Sequence, residues 1–239
     1  MGSPNKTVAF HTLGCKLNYA ETSTLTRLFI NFGYAVVNFQ DLANVYVINS
    51  CSVTDNANKK TRKAVRQALR RSPFAKVAIV GCYAQLKPEE ISQIPGVTLV
   101  VGTEEKLNLS KYLEISGSNG SPMIIRSDIK YVNTFNPSYS MGQRTRSFLK
   151  VQDGCDYTCN FCTIPLARGK SRSATVNQTV TVVEKIAAEG ALEVVLTGVN
   201  VGDFGIQNGE TLYDLIRALE QVKGIYRYRI SSIEPNLLT

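Results

Sequence analysis

Three cysteines within eight residues constrain this 239-residue chain more than any other feature of its sequence. Cys155, Cys159 and Cys162 are spaced C-x3-C-x2-C, so that three thiols can reach one small volume. Soft thiolates select zinc, copper(I) or iron–sulfur clusters. A closed zinc site needs four ligands, whereas three cysteines can hold a cubane [4Fe-4S] cluster with one iron open to an outside ligand. The spacing therefore favours an iron–sulfur cluster.

Two alternatives use the same three residues. Zinc would need a fourth ligand from elsewhere, and structural zinc sites usually show two C-x2-C pairs. A disulfide with one free thiol is disfavoured, because so short a loop gives poor disulfide geometry. The chain has six cysteines, and its polar N-terminus lacks the apolar region of a secretion signal. We therefore expect a reducing, cytoplasmic setting in which the cysteines bind metal.

Strand and helix patterns alternate through the first 115 residues, which predicts an α/β domain with a doubly wound parallel sheet over residues 1–115. No G-x-G-x-x-G motif follows the first strand, which argues against a dinucleotide cofactor. The predicted strands cover residues 8–10, 34–37, 45–48, 76–80 and 97–101, and the main predicted helices cover residues 20–32, 55–71 and 104–113.

Cys15, Cys51 and Cys82 each follow a predicted strand of this domain. In a parallel sheet the carboxyl ends of the strands meet at one edge, where ligands bind. The three thiols are therefore candidates for a second metal site. The alternative is that they are small buried residues, since cysteine packs well at strand ends. Strand order alone leaves both interpretations open.

The formal net charge of +8 favours a polyanionic partner, with nucleic acid first. The predicted helix at 55–71 places four cations on one face, which either stays solvated or contacts phosphates. The sequence contains no apolar run near 18 residues, so no membrane span is predicted. The four cations are Lys59, Lys63, Arg66 and Arg70.

Residues 116–145 are predicted to form a linker, because 116–122 is rich in glycine and serine and 133–146 looks irregular. Residues 146–239 then read β-α-β-α-β, with a polar loop after each strand, as at the active face of a (β/α) barrel. A barrel needs more units than these. We therefore predict the first β/α units of a truncated partial TIM barrel.

Taken together, the two cysteine sets resemble those of the radical S-adenosylmethionine (SAM) methylthiotransferases. That family has three dispersed cysteines in an N-terminal domain and then C-x3-C-x2-C at the opening of a barrel. The match covers nearly the whole chain. The family also has a complete barrel and a small RNA-binding C-terminal domain, which are absent here, so we expect this chain alone to be inactive. Further segments that look like family motifs are 12–18, 47–54, 154–165, 167–169 and 231–235.

The resemblance also suggests a substrate. Gly-Cys-Lys-Leu-Asn at 14–18 is similar to the branch that acts on N6-threonylcarbamoyladenosine, whereas the isopentenyladenosine branch usually has Gly-Cys-Gln-Met-Asn and the ribosomal-protein branch Gly-Cys-Pro-Lys-Asn. The implied activity is methylthiolation of carbon 2 of N6-threonylcarbamoyladenosine next to the anticodon of tRNA. The alternatives are another branch of the family and a zinc-stabilised RNA-binding protein.

The resemblance implies two [4Fe-4S] clusters with separate roles, and SAM as the further cofactor. Cys155, Cys159 and Cys162 would be the catalytic set, holding the cluster that binds and cleaves SAM. A second set would hold the cluster that carries the transferred sulfur, and it comprises Cys15, Cys51 and Cys82.

Other residues are candidates for contact with SAM or tRNA. Phe161 could pack against the adenine of SAM, and Gly198 and Asn200 follow a barrel strand where they could contact SAM. The implied partners are tRNA and an electron donor such as flavodoxin or ferredoxin, with no membrane. Three cations after the cysteine motif could meet SAM carboxylate or tRNA phosphates: Arg168, Lys170 and Arg172.

Overall fold

The computed structural model describes residues 6–51, 55–116, 121–141 and 146–237. The chain divides into two compact units. The first comprises Met1–Asn18 and Thr24–Ile129, and the second comprises Tyr19–Ser23 and Lys130–Thr239.

The first unit is built on a six-stranded sheet in which every pair of neighbouring strands is parallel. Its strands, in chain order, are β1 (Thr7–Thr12), β2 (Ala35–Val37), β3 (Val45–Ser50), β4 (Lys76–Gly81), β5 (Leu99–Val101) and β6 (Met123–Ile125). The spatial order is β2-β1-β3-β4-β5-β6, so the winding reverses between β1 and β3. All six residues of β3 are buried, as expected for a central strand covered on both faces.

Helices cover both faces of this sheet, which confirms the doubly wound prediction. They are α1 (Lys16–Asn31), α2 (Asp55–Arg71), α3 (Cys82–Leu86), α4 (Pro88–Ser92) and α5 (Leu109–Ile115). Side chains alternate along β3: Tyr46 packs in a core with Val65 of α2, and Val47 packs in the opposite core with Phe29 and Leu113.

Three differences from the sequence prediction go beyond one or two residues at the end of an element. α1 begins at Lys16, directly after Cys15, although its first turn has no side-chain cap. The helix expected at 104–113 is a 3-10 turn followed by α5. The boundary between the units lies between Ile129 and Lys130, inside the expected linker, because β6 pairs with β5 and thereby extends the first sheet.

The second unit contains a four-stranded sheet in the order β12-β11-β8-β7, with a separate two-stranded pair. Its strands are β7 (Ser138–Tyr139), β8 (Arg146–Lys150), β9 (Gln152–Asp153), β10 (Arg172–Ser173), β11 (Glu193–Thr197) and β12 (Arg227–Ile230). β8, β11 and β12 are parallel neighbours, whereas β7 runs antiparallel to β8 and β9 pairs antiparallel with β10.

The helices of the second unit are α6 (Ile164–Arg168), α7 (Val176–Ala188) and α8 (Leu212–Leu219). Capping boxes at Thr175 and Thr211 fix the starts of α7 and α8. The succession β8-α7-β11-α8-β12 confirms the predicted β-α-β-α-β order. No helix among the described residues is long and apolar enough to cross a membrane.

Candidate metal centres

The dispersed cysteines lie at the carboxyl ends of three adjacent strands. Cys15 follows β1 by three residues, whereas Cys51 and Cys82 come directly after β3 and β4. Because β1, β3 and β4 are neighbours in the parallel sheet, the three residues share one edge, at the point where the winding reverses. Cys15 is exposed, Cys51 is half-buried and Cys82 is buried, and all three are free thiols.

The loop after β1 approaches Cys51 closely. Gly14 has a φ of +105°, and a Cβ at that position would lie 2.8 Å from the Cβ and 3.0 Å from the Sγ of Cys51. The buried Asn18 side chain donates hydrogen bonds to the Leu13 carbonyl at 2.7 Å and the Ser50 carbonyl at 3.1 Å. Glycine at 14 therefore permits the close approach to Cys51, and the Asn18 side chain joins the end of β3 to the loop after β1.

Cys82 is the first residue of α3 and lies between two residues that fix its position. Gly81, before it, has a φ of +94°, and Tyr83, after it, is buried. The Tyr83 hydroxyl donates to Glu90 at 2.6 Å, and Arg62 of α2 pairs with the same carboxylate at 2.8 Å. Burial and this hydrogen bond raise the pKa of Tyr83 to about 12, so it remains a donor at neutral pH.

The clustered cysteines lie in the loop between β9 and α6. Cys155 is half-buried, and its backbone N–H donates to the Gly169 carbonyl at 3.0 Å. Cys159 and Cys162 are exposed, and the Cys162 N–H donates to the Cys159 carbonyl at 3.2 Å. Burial raises the pKa of the Cys155 thiol, so binding of a metal would release its proton.

Among the described residues, no three His, Cys, Asp or Glu side chains converge as ligands of a single metal ion. Each thiolate of a cubane cluster binds a different iron, so such ligands need not share one coordination sphere. Six free thiols in two groups of three fit iron–sulfur clusters by donor type.

Phe161 has an unusual backbone conformation within the cysteine loop. Its φ is +64°, in the left-handed region that aromatic residues seldom adopt, and its side chain is fully exposed. Such conformations persist where the surrounding structure imposes them. Here the turn between Cys159 and Cys162 presents the ring to solvent.

Gln152 joins two loops at the carboxyl side of the second sheet. Its side chain is fully buried. The Nε2 atom donates to the Gly154 carbonyl at 2.7 Å and to Ser171 Oγ at 2.9 Å. The Oε1 atom accepts from the backbone N–H groups of Val199 at 2.8 Å and Asn200 at 3.0 Å. One amide thus ties the start of the cysteine loop to the loop after β11.

Gly198 and Asn200 both lie in that second loop. A Cβ on Gly198 would come 2.7 Å from Gln152 Oε1, so glycine permits the close approach. The buried Asn200 side chain donates to Asp203 at 3.2 Å and accepts from the Glu234 N–H at 3.2 Å. Burial raises the pKa of the Asp203 carboxyl, which also accepts a hydrogen bond from Tyr157 at 3.0 Å.

The buried position of Arg168 contradicts the contact with SAM or tRNA that the sequence suggests. Its side chain is 1% exposed and pairs with Asp153 at 2.8 Å and Glu21 at 3.2 Å. Lys150 pairs with the same two carboxylates, at 3.2 Å and 3.1 Å. A guanidinium held in this buried network is not presented to a SAM carboxylate or an RNA phosphate.

The two neighbouring cations differ from each other. Arg172 is also buried, lies 3.6 Å from Asp153, and donates to the carbonyls of Arg168 and Lys170. Lys170 is exposed. Of the three cations expected to meet substrate, only Lys170 is therefore presented to solvent.

Sequence reasoning missed Gln152 and the buried acids Glu21 and Asp153. A signal was present in residues 148–153, where the polar residues Lys150, Gln152 and Asp153 follow or alternate with the buried apolar residues Phe148, Leu149 and Val151. Polar residues are seldom fully buried unless they are paired, so this pattern indicates an internal network.

Several known proteins are similar to this chain. Residues 7–102 match the family model described as "Uncharacterized protein family UPF0004". The threonylcarbamoyladenosine tRNA methylthiotransferase MtaB of Aquifex aeolicus is 42% identical over 229 residues, which covers 95% of the chain and 56% of that relative. The Bacillus subtilis protein of the same name is 39% identical over 241 residues, which covers 98% of the chain and 52% of the relative. The chain thus spans about half the length of these curated relatives.

A solved structure shares the fold. The radical S-adenosylmethionine methyltransferase TsrM from Kitasatospora setae, with cobalamin and a [4Fe-4S] cluster bound, aligns with a TM-score of 0.54. The alignment covers 91% of this chain and 52% of that protein, at 12% identity. At this identity the similarity concerns the fold alone.

Proposed function

Since this chain belongs to the radical-SAM methylthiotransferase family, we propose that it serves in methylthiolation of carbon 2 of N6-threonylcarbamoyladenosine next to the anticodon of tRNA. The activity is proposed for a protein of its relatives' length, and we expect the 239 residues alone to be inactive. The observation that carries the proposal is the pair of three-cysteine groups, one at the ends of adjacent strands and one within a single loop.

Each cysteine group would hold one [4Fe-4S] cluster. Cys155, Cys159 and Cys162 form the catalytic group, and the strand-end group comprises Cys15, Cys51 and Cys82. With SAM bound, the two clusters would supply the radical chemistry and the sulfur for the new C–S bond. The exposed thiols of Cys159 and Cys162 are open to cluster assembly without rearrangement of the core.

The residues around the catalytic loop would bind and orient SAM. The exposed Phe161 ring would stack on the adenine of SAM. Gly198 would permit close approach of the nucleoside, and the hydrogen bonds of Asn200 would hold its loop in place. Gln152 would keep this loop at a fixed distance from the start of the cysteine loop. Such preorganisation is the part of catalysis that the protein supplies.

The partners follow from the chemistry. A net charge of +8 suits tRNA, and a one-electron donor such as flavodoxin or ferredoxin would reduce the catalytic cluster. We place the protein in the cytoplasm, where tRNA is modified and thiols stay reduced.

A nucleoside assay tests the proposal. A protein of the relatives' length that carries this chain is reconstituted anaerobically and incubated with SAM, dithionite and tRNA lacking the methylthio group. Mass spectrometry of the digested tRNA should then show N6-threonylcarbamoyladenosine with one methylthio group in place of one hydrogen. Cys159→Ala should abolish SAM cleavage, whereas Cys51→Ala should retain some cleavage and lose sulfur insertion.

Other outcomes would favour the alternatives. Modification of isopentenyladenosine, or of an aspartate of a ribosomal protein, would assign the chain to another branch. Stoichiometric zinc with no iron and no SAM cleavage would favour an RNA-binding protein with structural zinc. Loss of all SAM cleavage in a folded Cys51→Ala variant would contradict separate roles for the two cysteine groups.

A further inference from the structure

One face of α2 carries a row of cations. Lys59, Lys63, Arg66 and Arg70 are spaced 4-3-4 and are all exposed, and we call them the α2 basic row. Among the residues whose side chains are described, none forms an ion pair with them. Arg62, on the flank of the helix, is instead paired with Glu90.

Packing fixes the direction of this face. The opposite side of α2 buries Thr61, Ala64, Val65 and Ala68, each at most 2% exposed, against the sheet. The helix cannot rotate without exposing these side chains. The α2 basic row is therefore held outward by the core of the first unit.

Helix stability does not account for the row. Residues four and three apart are neighbours on a helix surface, and like charges at these spacings destabilise the helix. The row contains three such neighbouring pairs: Lys59 with Lys63, Lys63 with Arg66, and Arg66 with Arg70. Only Arg70 lies in the last turn, where a cation favours the helix dipole. A bound polyanion would relieve the repulsion.

The row also leads toward the strand-end cysteines. α2 begins four residues after Cys51, at the carboxyl edge of the sheet, and Lys59 lies near that end of the helix. From Lys59 to Arg70 the row rises about 16 Å, with neighbouring cations about 5–6 Å apart. A nucleic-acid strand along the row would end beside the edge that holds Cys15, Cys51 and Cys82.

We propose that the α2 basic row binds the phosphate backbone of an RNA strand and aligns the substrate tRNA with the strand-end cysteine edge. The inference rests on the proposed function for its choice of RNA. The row is a backbone contact, so it supplies affinity and alignment and does not read the base.

Salt dependence of RNA binding tests the inference. The full 239-residue chain is titrated with a fluorescein-labelled anticodon stem–loop RNA at several salt concentrations. In one variant the row is neutralised by Lys59→Gln, Lys63→Gln, Arg66→Gln and Arg70→Gln. A charge-matched control neutralises four exposed cations elsewhere: Lys111→Gln, Lys185→Gln, Arg217→Gln and Lys223→Gln.

The row variant should lose affinity by about tenfold or more at 0.1 M salt. The slope of log affinity against log salt should become less steep by about 3 in this variant, since each of the four lost phosphate contacts contributes roughly 0.7–0.9 to the slope. The control should keep most of the wild-type slope. Equal slopes and affinities for the two variants would overturn the inference, and so would binding of the wild-type chain that does not respond to salt.

Failure of the proposed function has a different readout. Iron and acid-labile sulfide are measured on the same three reconstituted proteins. Equal iron and sulfide in all three proteins, together with equal RNA binding by both variants, would overturn the α2 basic row as an RNA surface and leave the proposed function standing. Absence of iron from the wild-type protein would instead overturn the proposed function.

Discussion

Gln152 and Asn200, 48 residues apart in the sequence, are joined by a 3.0 Å hydrogen bond from the Asn200 backbone N–H to Gln152 Oε1. The same amide group reaches the Gly154 carbonyl, next to Cys155, at 2.7 Å. Because Gln152 is fully buried, water cannot replace these bonds if the side chain is lost. Gln152 is therefore a buried link between the two loops, in addition to the hydrogen bond from Tyr157 to Asp203.

Gln152→Leu should loosen the loop after β11. Leucine has a similar volume but leaves the N–H groups of Val199 and Asn200 without their acceptor, at a cost of about 1–3 kcal/mol for each buried group. We expect these two amides to exchange faster with solvent in the cluster-free protein. Hydrogen exchange followed by mass spectrometry checks this, with exposed Gln221→Leu as the control. Unchanged exchange at 199 and 200 would show that another contact holds the loop.

The buried ionic network should tolerate loss of a cation better than loss of an acid. Within the described part of the chain, three cations face two carboxylates: Lys150, Arg168 and Arg172 against Glu21 and Asp153. Asp153→Asn leaves three buried cations against one carboxylate, and it should lower the free energy of unfolding by about 3–5 kcal/mol. Arg168→Met leaves two of each charge, so its loss should be smaller. Urea unfolding measures both, and the reverse order would contradict this charge balance.

Gly14→Ala should impair cluster assembly at the strand ends. The added Cβ would press on the Cβ and Sγ of Cys51, and the φ of +105° is strained for alanine. Gly33→Ala is the control, because Gly33 has a φ of +81° but open space around it. Both variants should lose about 1–2 kcal/mol of stability from the backbone. Only Gly14→Ala should lower the iron content per chain, and equal iron in the two would refute the effect on Cys51.

Lys63→Gln should stabilise the RNA-free protein. The change removes repulsion with Lys59 and Arg66 while keeping helix propensity nearly constant. The gain should be about 0.4–1 kcal/mol at low salt, and it should vanish near 1 M salt because exposed charges are screened. Lys185→Gln, on a helix with no cation three or four residues away, should give no such gain. Urea unfolding at both salt concentrations tests this, and a loss of stability in Lys63→Gln would contradict it.

The sequence predicted the elements whose apolar pattern is regular. α2 spans the predicted residues 55–71, and β3 and β4 extend the predicted strands by one or two residues. The start of α1 was missed because Lys16–Tyr19 lacks apolar periodicity and Cys15 offers no side-chain cap. The exposed position of the α2 basic row followed from its helical spacing, since the opposite face is apolar.

The surroundings of the cysteines were harder to predict. Arg168 lies within six residues of Cys162, and this proximity suggested a ligand contact. Its partner Glu21 is 147 residues away in the sequence, so no local pattern could reveal the ion pair. The left-handed conformation of Phe161 also has no sequence signal, because it depends on the turn that the cysteine loop imposes.

If each of the two three-cysteine groups holds a [4Fe-4S] cluster, the iron content of the protein should fall by half when one group is removed. Iron and acid-labile sulfide per chain are counted after anaerobic reconstitution. We predict about eight irons for the wild-type chain, and about four when Cys15, Cys51 and Cys82 are all replaced by alanine. About four irons in both proteins, or zinc in place of iron, would show that the two groups do not each hold a cluster.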